Sequence, residues 1–194
     1  MDINAYWKQQ SRTTDQIGEY REDAVIRLVA DCLQLTPEKS VLDVGCATGQ
    51  MLSLLPAGRK VGIDYSEKYI EKAKVNVPDV ELHLGEAAQL PFPDESFDAV
   101  LSHSTFILFD YAYADRVVAE LSRVCKTGGR ILVGDVSDMD RYPGGRWACK
   151  LRTALLDLLS KPYSVFYPRS FFTDKGFTVL PSPINPRFYA YKTK

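Results

Sequence analysis

The residues of this chain best placed to do chemistry gather around one run, Val41-Leu42-Asp43-Val44-Gly45-Cys46-Ala47-Thr48-Gly49. An apolar strand breaks into a glycine turn, and Met51-Leu52-Ser53-Leu54-Leu55 follows as a short helix. Strand, glycine turn and helix make a nucleotide-binding layout. A dinucleotide site wants G-x-G-x-x-G, but the three positions hold Gly45, Ala47 and Gln50. A phosphate-cradling loop wants G-x-x-x-x-G-K-[ST]. Here Gly45 and Gly49 stand one residue too close and no lysine follows. Asp43, just before the turn, would repel a pyrophosphate and welcome an ammonium or a sulfonium. Glycine at 45 and 49 would let the backbone approach such a ligand closely.

Asp64 ends the next strand, 21 residues after Asp43. An acid in that place takes ribose hydroxyls in doubly wound folds. Tyr65 offers a flat face for a base. After a third strand, Glu86 offers an acceptor for an exocyclic amine, and the Ala87 backbone can read a ring nitrogen. Each feature has a plainer use alone: the turn as a tight connection, Asp64 as a helix cap, Glu86 as a solvated acid, Tyr65 as a surface aromatic. Together they describe an adenosine carrying a cationic amino-acid tail, which is S-adenosylmethionine.

The positions of these groups depend on alternating elements. Val25, Leu28, Val29, Cys32 and Leu33 mark one face of a helix within residues 20–35. Strands are expected at 40–44, 60–64, 80–84, 97–102 and 130–136. Helices are expected at 48–55, from Ser66 to about 76, and at 112–126, the last ended by Gly128-Gly129. Strands alternating with helices give a parallel sheet with helices on both faces. Residues 141–161 break the rhythm with a Gly/Pro turn and a helix bearing Trp147, Leu151, Ala154, Leu155, Leu158 and Leu159 on one side. Residues 177–180 and 187–191 read as two strands joined too closely for a crossover helix, hence antiparallel neighbours.

The 194 residues are 45% hydrophobic and 25% charged, with a formal net charge of −1. That balance gives no global pull toward nucleic acid. Four cysteines without a CxxC pair, beside only His83 and His103, predict no metal site. Cys32 and Cys125 fall on apolar helical faces and read as buried reduced thiols. The first residues are polar and acidic, unlike a signal peptide. No apolar run approaches the roughly 18 residues of a membrane helix, so no membrane insertion is expected, and the cytoplasm is the expected location.

At this point the motifs resemble the class I S-adenosylmethionine-dependent methyltransferases, in the small-molecule type 11 branch with the ubiquinone/menaquinone-type enzymes. "VLDVGCATG" looks like the glycine motif and "VGIDYSEKYIEKAK" like the acidic ribose motif. "GEAAQLPFPDESFDAVLS" looks like the segment joining strands three and four, and "ELSRVCKTGGRILV" like the elements after it. The resemblance implies a Rossmann-like doubly wound sheet of seven strands, order 3-2-1-4-5-7-6, with strand 7 antiparallel. It implies a single domain over 1–194: a helical cap at 1–35, a cofactor-binding core at 36–140, a lid at 141–161, and a helix and hairpin at 162–194. Asp43, Gly45, Cys46 and Gly49 would then surround the methionine part of the cofactor. Asp64 would hold the ribose, Tyr65 would pack on the adenine, and Glu86 and Ala87 would read its edge. Ser102 and His103 would border the methyl group. Ala47 for the usual glycine, Glu86 for the usual aspartate and Thr127 for the usual proline depart from the pattern.

Methyl transfer from a sulfonium is an in-line displacement, served mainly by alignment and exclusion of water. A hydroxyl acceptor would want a base, and His103 at the end of strand four is the candidate, with a backbone or wall role as the alternative. The acceptor, a small molecule, is expected against three segments, 104–113 with Phe106, Phe109, Tyr111 and Tyr113, 135–146 with Arg141, and the N-terminal stretch with Tyr6, Trp7 and Tyr20, and against Trp147, although half of these aromatics could equally be core. The helix near 146–160 reads as a lid, its apolar side over the site and Arg146, Lys150 and Arg152 in water. No nucleic-acid partner is expected, because strand four ends "LSHSTF" rather than in an Asn/Asp-Pro-Pro-aromatic pattern. A noncatalytic cofactor-binding or assembly subunit would carry a degraded loop, and this loop is intact. An RNA or protein methyltransferase is the remaining alternative.

Overall fold

Residues 23–158, 165–182 and 187–194 are described by a computed structural model. Tyr6, Trp7, Tyr20, most of the expected cap and the end of the expected lid lie outside the described residues. The strands are β1 (Ser40–Val44), β2 (Arg59–Asp64), β3 (Glu81–Leu84), β4 (Phe97–His103), β5 (Cys125–Ser137), β6 (Thr178–Pro181) and β7 (Arg187–Thr193). The helices are α1 (Asp23–Leu33), α2 (Gln50–Leu54), α3 (Glu67–Asn76), α4 (Tyr111–Val124), α5 (Gly145–Leu158) and α6 (Ser170–Thr173). One sheet holds all seven strands in the order β3-β2-β1-β4-β5-β7-β6. β1 to β5 pair in parallel, and β7 runs antiparallel between β5 and β6.

Alternation along each strand divides the core between two faces. Val41, Ala99, Leu101 and Leu132 pack with Val25, Val29 and Leu33 of α1 and with Met51 and Leu52 of α2. Leu42, Val44, Val100, Ile131 and Val133 face Val117 and Leu121 of α4, and Phe106, Tyr167 and Phe172 join them. Burying each such large apolar side chain contributes about 2 kcal/mol. Helix starts follow the capping chemistry of the sequence. Ser66 Oγ accepts from the Tyr69 N–H at 3.4 Å and Asp110 Oδ1 from the Tyr113 N–H at 2.7 Å. Arg123 of α4 donates to the carbonyls of Leu90 and Phe92 at 3.0 and 2.8 Å. It thereby pins the long β3–β4 connection that carries Glu86 and Ala87.

Two expectations change. Gly128-Gly129 does not end α4: the helix stops at Val124, and both glycines lie within β5, where the Gly128 N–H donates to the Lys194 carbonyl and the Gly129 carbonyl accepts from Lys194. The strand begins at Cys125, which pairs with Phe97 of β4, a contact remote in sequence. Nor does α5 turn its apolar side inward. Trp147, Leu151 and Leu155 are 75%, 55% and 53% exposed, and the helix buries Cys149 instead. Spacing reveals that a helix has two faces, not which one finds a partner.

Candidate functional site

The glycine turn is built from left-handed backbone. Gly45, Ala47 and Gly49 have φ of 84°, 47° and 78°. The Gly45 and Cys46 N–H groups both donate to the Ile63 carbonyl at 2.8 and 3.1 Å, tying the turn to β2. A Cβ on Gly45 would lie 2.5 Å from Thr105 Oγ1, and one on Gly49 would lie 2.5 Å from Val77 Cγ2. The close approach these glycines permit is therefore first to the protein's own side chains.

Asp43 lies below this turn, 2% exposed, and its Oδ1 is buried without a hydrogen-bond partner in the structure. Burial, reinforced by the charge of Asp64, pushes its carboxyl up to about 8. An orphaned buried carboxylate oxygen is costly unless a cation or donor meets it. Asp64 at the end of β2 is better held. Its Oδ2 accepts from the Ala47 N–H and its Oδ1 from the Ser66 N–H, each at 2.9 Å. Burial still raises its carboxyl above the ordinary range, outweighing those N–H donors. Each carboxylate oxygen keeps a further lone pair for a hydroxyl. Cys46 is no nucleophile: burial, then Asp43 and Asp64, drive its thiol far up.

A cleft of about 270 Å³ unites these groups. Asp43, Gly45, Cys46 and Ala47 line its floor, and Asp64 and Tyr65 one wall. Glu86 and Ala87 close the β3 end, where Glu86 Oε2 accepts from Tyr113 Oη at 2.9 Å. His103, Ser104, Thr105, Ile107, Leu108 and Phe109 form the opposite wall. Tyr65 Oη is a second buried polar atom without a partner in the structure.

Several expected residues lie elsewhere. Gly49 serves the turn without lining the cleft. Ser102 is fully buried and donates to the Val44 carbonyl at 3.0 Å, a β1–β4 strut that does not line the cleft. Phe106 is core, packed on Phe109, Tyr167 and Phe172 with ring centroids 5.4, 6.0 and 5.5 Å away. Tyr111 donates to the Phe166 carbonyl at 2.8 Å outside the cleft, and Arg141 and Trp147 are exposed beyond it. Ser104, Thr105, Phe109 and Tyr113 of the expected 104–113 segment do line the cleft, and Tyr69 joins them unexpected.

His103 lines the cleft, but both ring nitrogens are engaged. Nε2 lies 3.2 Å from Tyr189 Oη and Nδ1 3.1 Å from Ser104 Oγ. Ser104 Oγ donates in turn to Asp135 Oδ2 at 2.7 Å, and Arg187 pairs with the same carboxylate. One tautomer satisfies the chain: Tyr189 donates to His103, His103 to Ser104 and Ser104 to Asp135. Burial first, offset by Asp135 and reinforced by Arg187, brings the imidazole down to about 4. Ser104 and Asp135 both have left-handed φ, 58° and 59°, the latter where β5 slips register against β7. Backbone held in such conformations concentrates at functional sites.

Residues 42–133 match the family model described as a methyltransferase domain. The demethylmenaquinone methyltransferase of Renibacterium salmoninarum is 36% identical over 113 residues, which are 57% of this chain and 47% of that protein. The 27-O-demethylrifamycin SV methyltransferase of Amycolatopsis mediterranei is 32% identical over 146 residues, 68% of this chain and 50% of that protein. The chain thus spans about half the length of these curated relatives. The crystal structure of the PH0226 protein of Pyrococcus horikoshii superposes with a TM-score of 0.67 at 18% identity, covering 96% of this chain and 99% of that one, a likeness of fold.

Proposed function

We propose that the protein is a class I S-adenosylmethionine-dependent methyltransferase of the type 11 kind that methylates a small-molecule acceptor, a reading supported by the match of residues 42–133 to a methyltransferase-domain model. The observation that carries the reading is the unpartnered Asp43 Oδ1 beneath the glycine turn, with Asp64 across from it. The site residues fit the cofactor. Asp43 would take the ammonium of the amino-acid tail, Asp64 the ribose hydroxyls, Tyr65 the adenine face, and Glu86 and Ala87 its edge. Tyr113 holds Glu86 for that contact. When bound, S-adenosylmethionine supplies an electrophilic methyl group.

The acceptor would approach along Ile107, Leu108 and Phe109, whose apolar side chains exclude water and favour an apolar molecule. His103 serves this reaction as a rigid wall rather than as a base, because Tyr189 and Ser104 already hold its ring. The arrangement suits an acceptor that is already nucleophilic near neutral pH, such as an amine, a thiolate or an acidified hydroxyl. The menaquinone and rifamycin precursors named for the two relatives are themselves small molecules, and their chemistry suggests the class without naming the acceptor. The test is transfer of radiolabelled methyl from S-adenosylmethionine into a cell extract. Label in a solvent-extractable small molecule supports the reading. Label confined to RNA or protein, or calorimetric preference for NAD over S-adenosylmethionine, overturns it.

A further inference from the structure

We propose that the outward face of α5 docks the protein on an anionic lipid bilayer, lying in the headgroup layer beside the cleft. Trp147, Leu151 and Leu155 recur every fourth residue and make one continuous ridge, 75%, 55% and 53% exposed, with Ala154 exposed beside them. The same helix buries a cysteine, 1% exposed. A helix that hides a thiol and shows its tryptophan and leucines to solvent is oriented for something outside the fold, since exposed apolar ridges mark interaction surfaces.

The rim of the ridge names the partner. Arg141, Arg146, Lys150 and Arg152 are all exposed, and no acidic residue occurs from 141 to 156, in a chain whose net charge is −1. Arg146 shares its charge with Asp140 at 2.5 Å, and Arg152 lies 5.9 Å from the centroid of the Phe166 ring. Tryptophan and leucine on one stripe, flanked by lysine and arginine, is the composition of helices that lie in the bilayer interface. The cations meet anionic headgroups, and the indole takes the headgroup level. A second copy of the chain fits less well, because a two-fold pairing of this face would bring like charges together. No helix among the described residues is long and apolar enough to cross a membrane, so α5 would lie on the surface.

The position of α5 gives the docking a use. Phe166 touches both Tyr142 and Arg152, and the adjacent Val165 N–H donates to the Ile107 carbonyl at 2.8 Å. Ile107 lines the cleft. The helix therefore adjoins, through Val165 and Phe166, the apolar wall along which an acceptor would enter. An amphiphilic molecule dissolved in the bilayer could pass from the headgroup layer to that wall. The docking itself stands apart from the transfer chemistry and is read without turnover.

The test uses the full chain with Trp7→Phe, which leaves Trp147 as the sole tryptophan. Vesicles of phosphatidylcholine alone are compared with equimolar phosphatidylcholine and phosphatidylglycerol. Co-sedimentation and a blue shift of Trp147 emission are expected only with the anionic vesicles, both weakening as salt rises. Lys150→Glu/Arg152→Glu should cut the apparent affinity by at least about tenfold, counting roughly fivefold for each cation near the surface. That variant should bind S-adenosylhomocysteine as the parent does, which shows an intact fold. Trp147→Ser/Leu151→Ser should also release the protein. Emission indifferent to anionic vesicles, or full binding by the charge-reversed variant, overturns the proposal. So does blue emission before vesicles are added, which would mean that the chain's own segment or a second copy covers the ridge; sedimentation equilibrium separates those two.

Discussion

The Asp64 carboxylate accepts a hydrogen bond from the Ala47 backbone N–H at 2.9 Å, so the end of β2 holds the turn that follows β1. Its other oxygen accepts from the Ser66 N–H and fixes the start of α3. Asp64→Ala would strip an acceptor from both amides. Leaving such buried groups unsatisfied costs about 1–3 kcal/mol. The variant should therefore unfold at lower urea and bind S-adenosylhomocysteine at least about tenfold more weakly, a factor equal to 1.4 kcal/mol. Urea melts and calorimetry check both effects. Weaker binding with unchanged stability would show that Asp64 touches ligand without supporting the turn.

Asp43 makes a pH prediction. A carboxyl at about 8 in the folded protein and about 3.9 unfolded binds its proton more tightly when folded. Its contribution to stability is complete below the unfolded value and drains away as pH rises through about 8. Asp64, also raised, acts in the same direction. His103 acts in the opposite direction, its contribution complete above about 6.5 and lost as pH falls toward about 4. Between pH 7 and 8.5 the carboxylates should dominate, and stability should fall by on the order of 1 kcal/mol per pH unit. Asp43→Asn should flatten that slope.

The same carboxyl predicts proton release on binding. A cationic ligand stabilises the ionised form of Asp43, so titration with S-adenosylmethionine at pH 7 should expel about one proton. Calorimetry in two buffers of different ionisation enthalpy reads the number directly. Asp43→Asn should abolish the release and most of the affinity. Proton-neutral binding by the parent protein would place the cation elsewhere.

How much of this site the sequence disclosed depends on the range of the contacts. Asp43, Asp64 and Glu86 each sit at or just beyond a strand end that local pattern reveals, and the cleft gathers all three. The strand order came from family resemblance, because alternation alone sets no order. Ser104, Asp135 and Arg187 are 31 and 52 residues apart along the chain and meet only through β4, β5 and β7. Nothing local announces that meeting. Phe106 looked like a pocket aromatic because its partners, Tyr167 and Phe172, come from a distant segment. Leu108, which does line the cleft, carries no polar signature.

The glycine turn separates strain from contact. Gly45→Ala forces a side chain into φ 84° and into Thr105. With about 1 kcal/mol for the backbone alone, the total loss should exceed about 2 kcal/mol once the collision is added. Ala47 already occupies φ 47°. Ala47→Gly should relieve that strain while loosening the unfolded chain, two effects each under about 1 kcal/mol that nearly cancel. Urea midpoints should drop sharply for the first variant and hardly move for the second. A large loss in Ala47→Gly would mean that its methyl group makes a contact the backbone angle does not predict.

The last prediction concerns His103 and Tyr189. If the imidazole took the acceptor's proton, His103→Ala should slow label transfer by about 100-fold or more, and the pH–rate curve should lose a limb. Tyr189 donating to Nε2 and Ser104 holding Nδ1 argue for the lesser effect. Losing a buried ring costs stability through the cavity it leaves, so the variant should melt earlier, yet its rate should fall by less than about tenfold, short of the base contribution. Tyr189→Phe sharpens the distinction, because it keeps the ring and removes only the hydroxyl that occupies Nε2. Were His103 a base merely masked by Tyr189, freeing that nitrogen should raise the rate and introduce an imidazole limb near pH 4. A strut predicts neither: the rate should stay level or fall slightly, and the pH–rate curve should keep its shape.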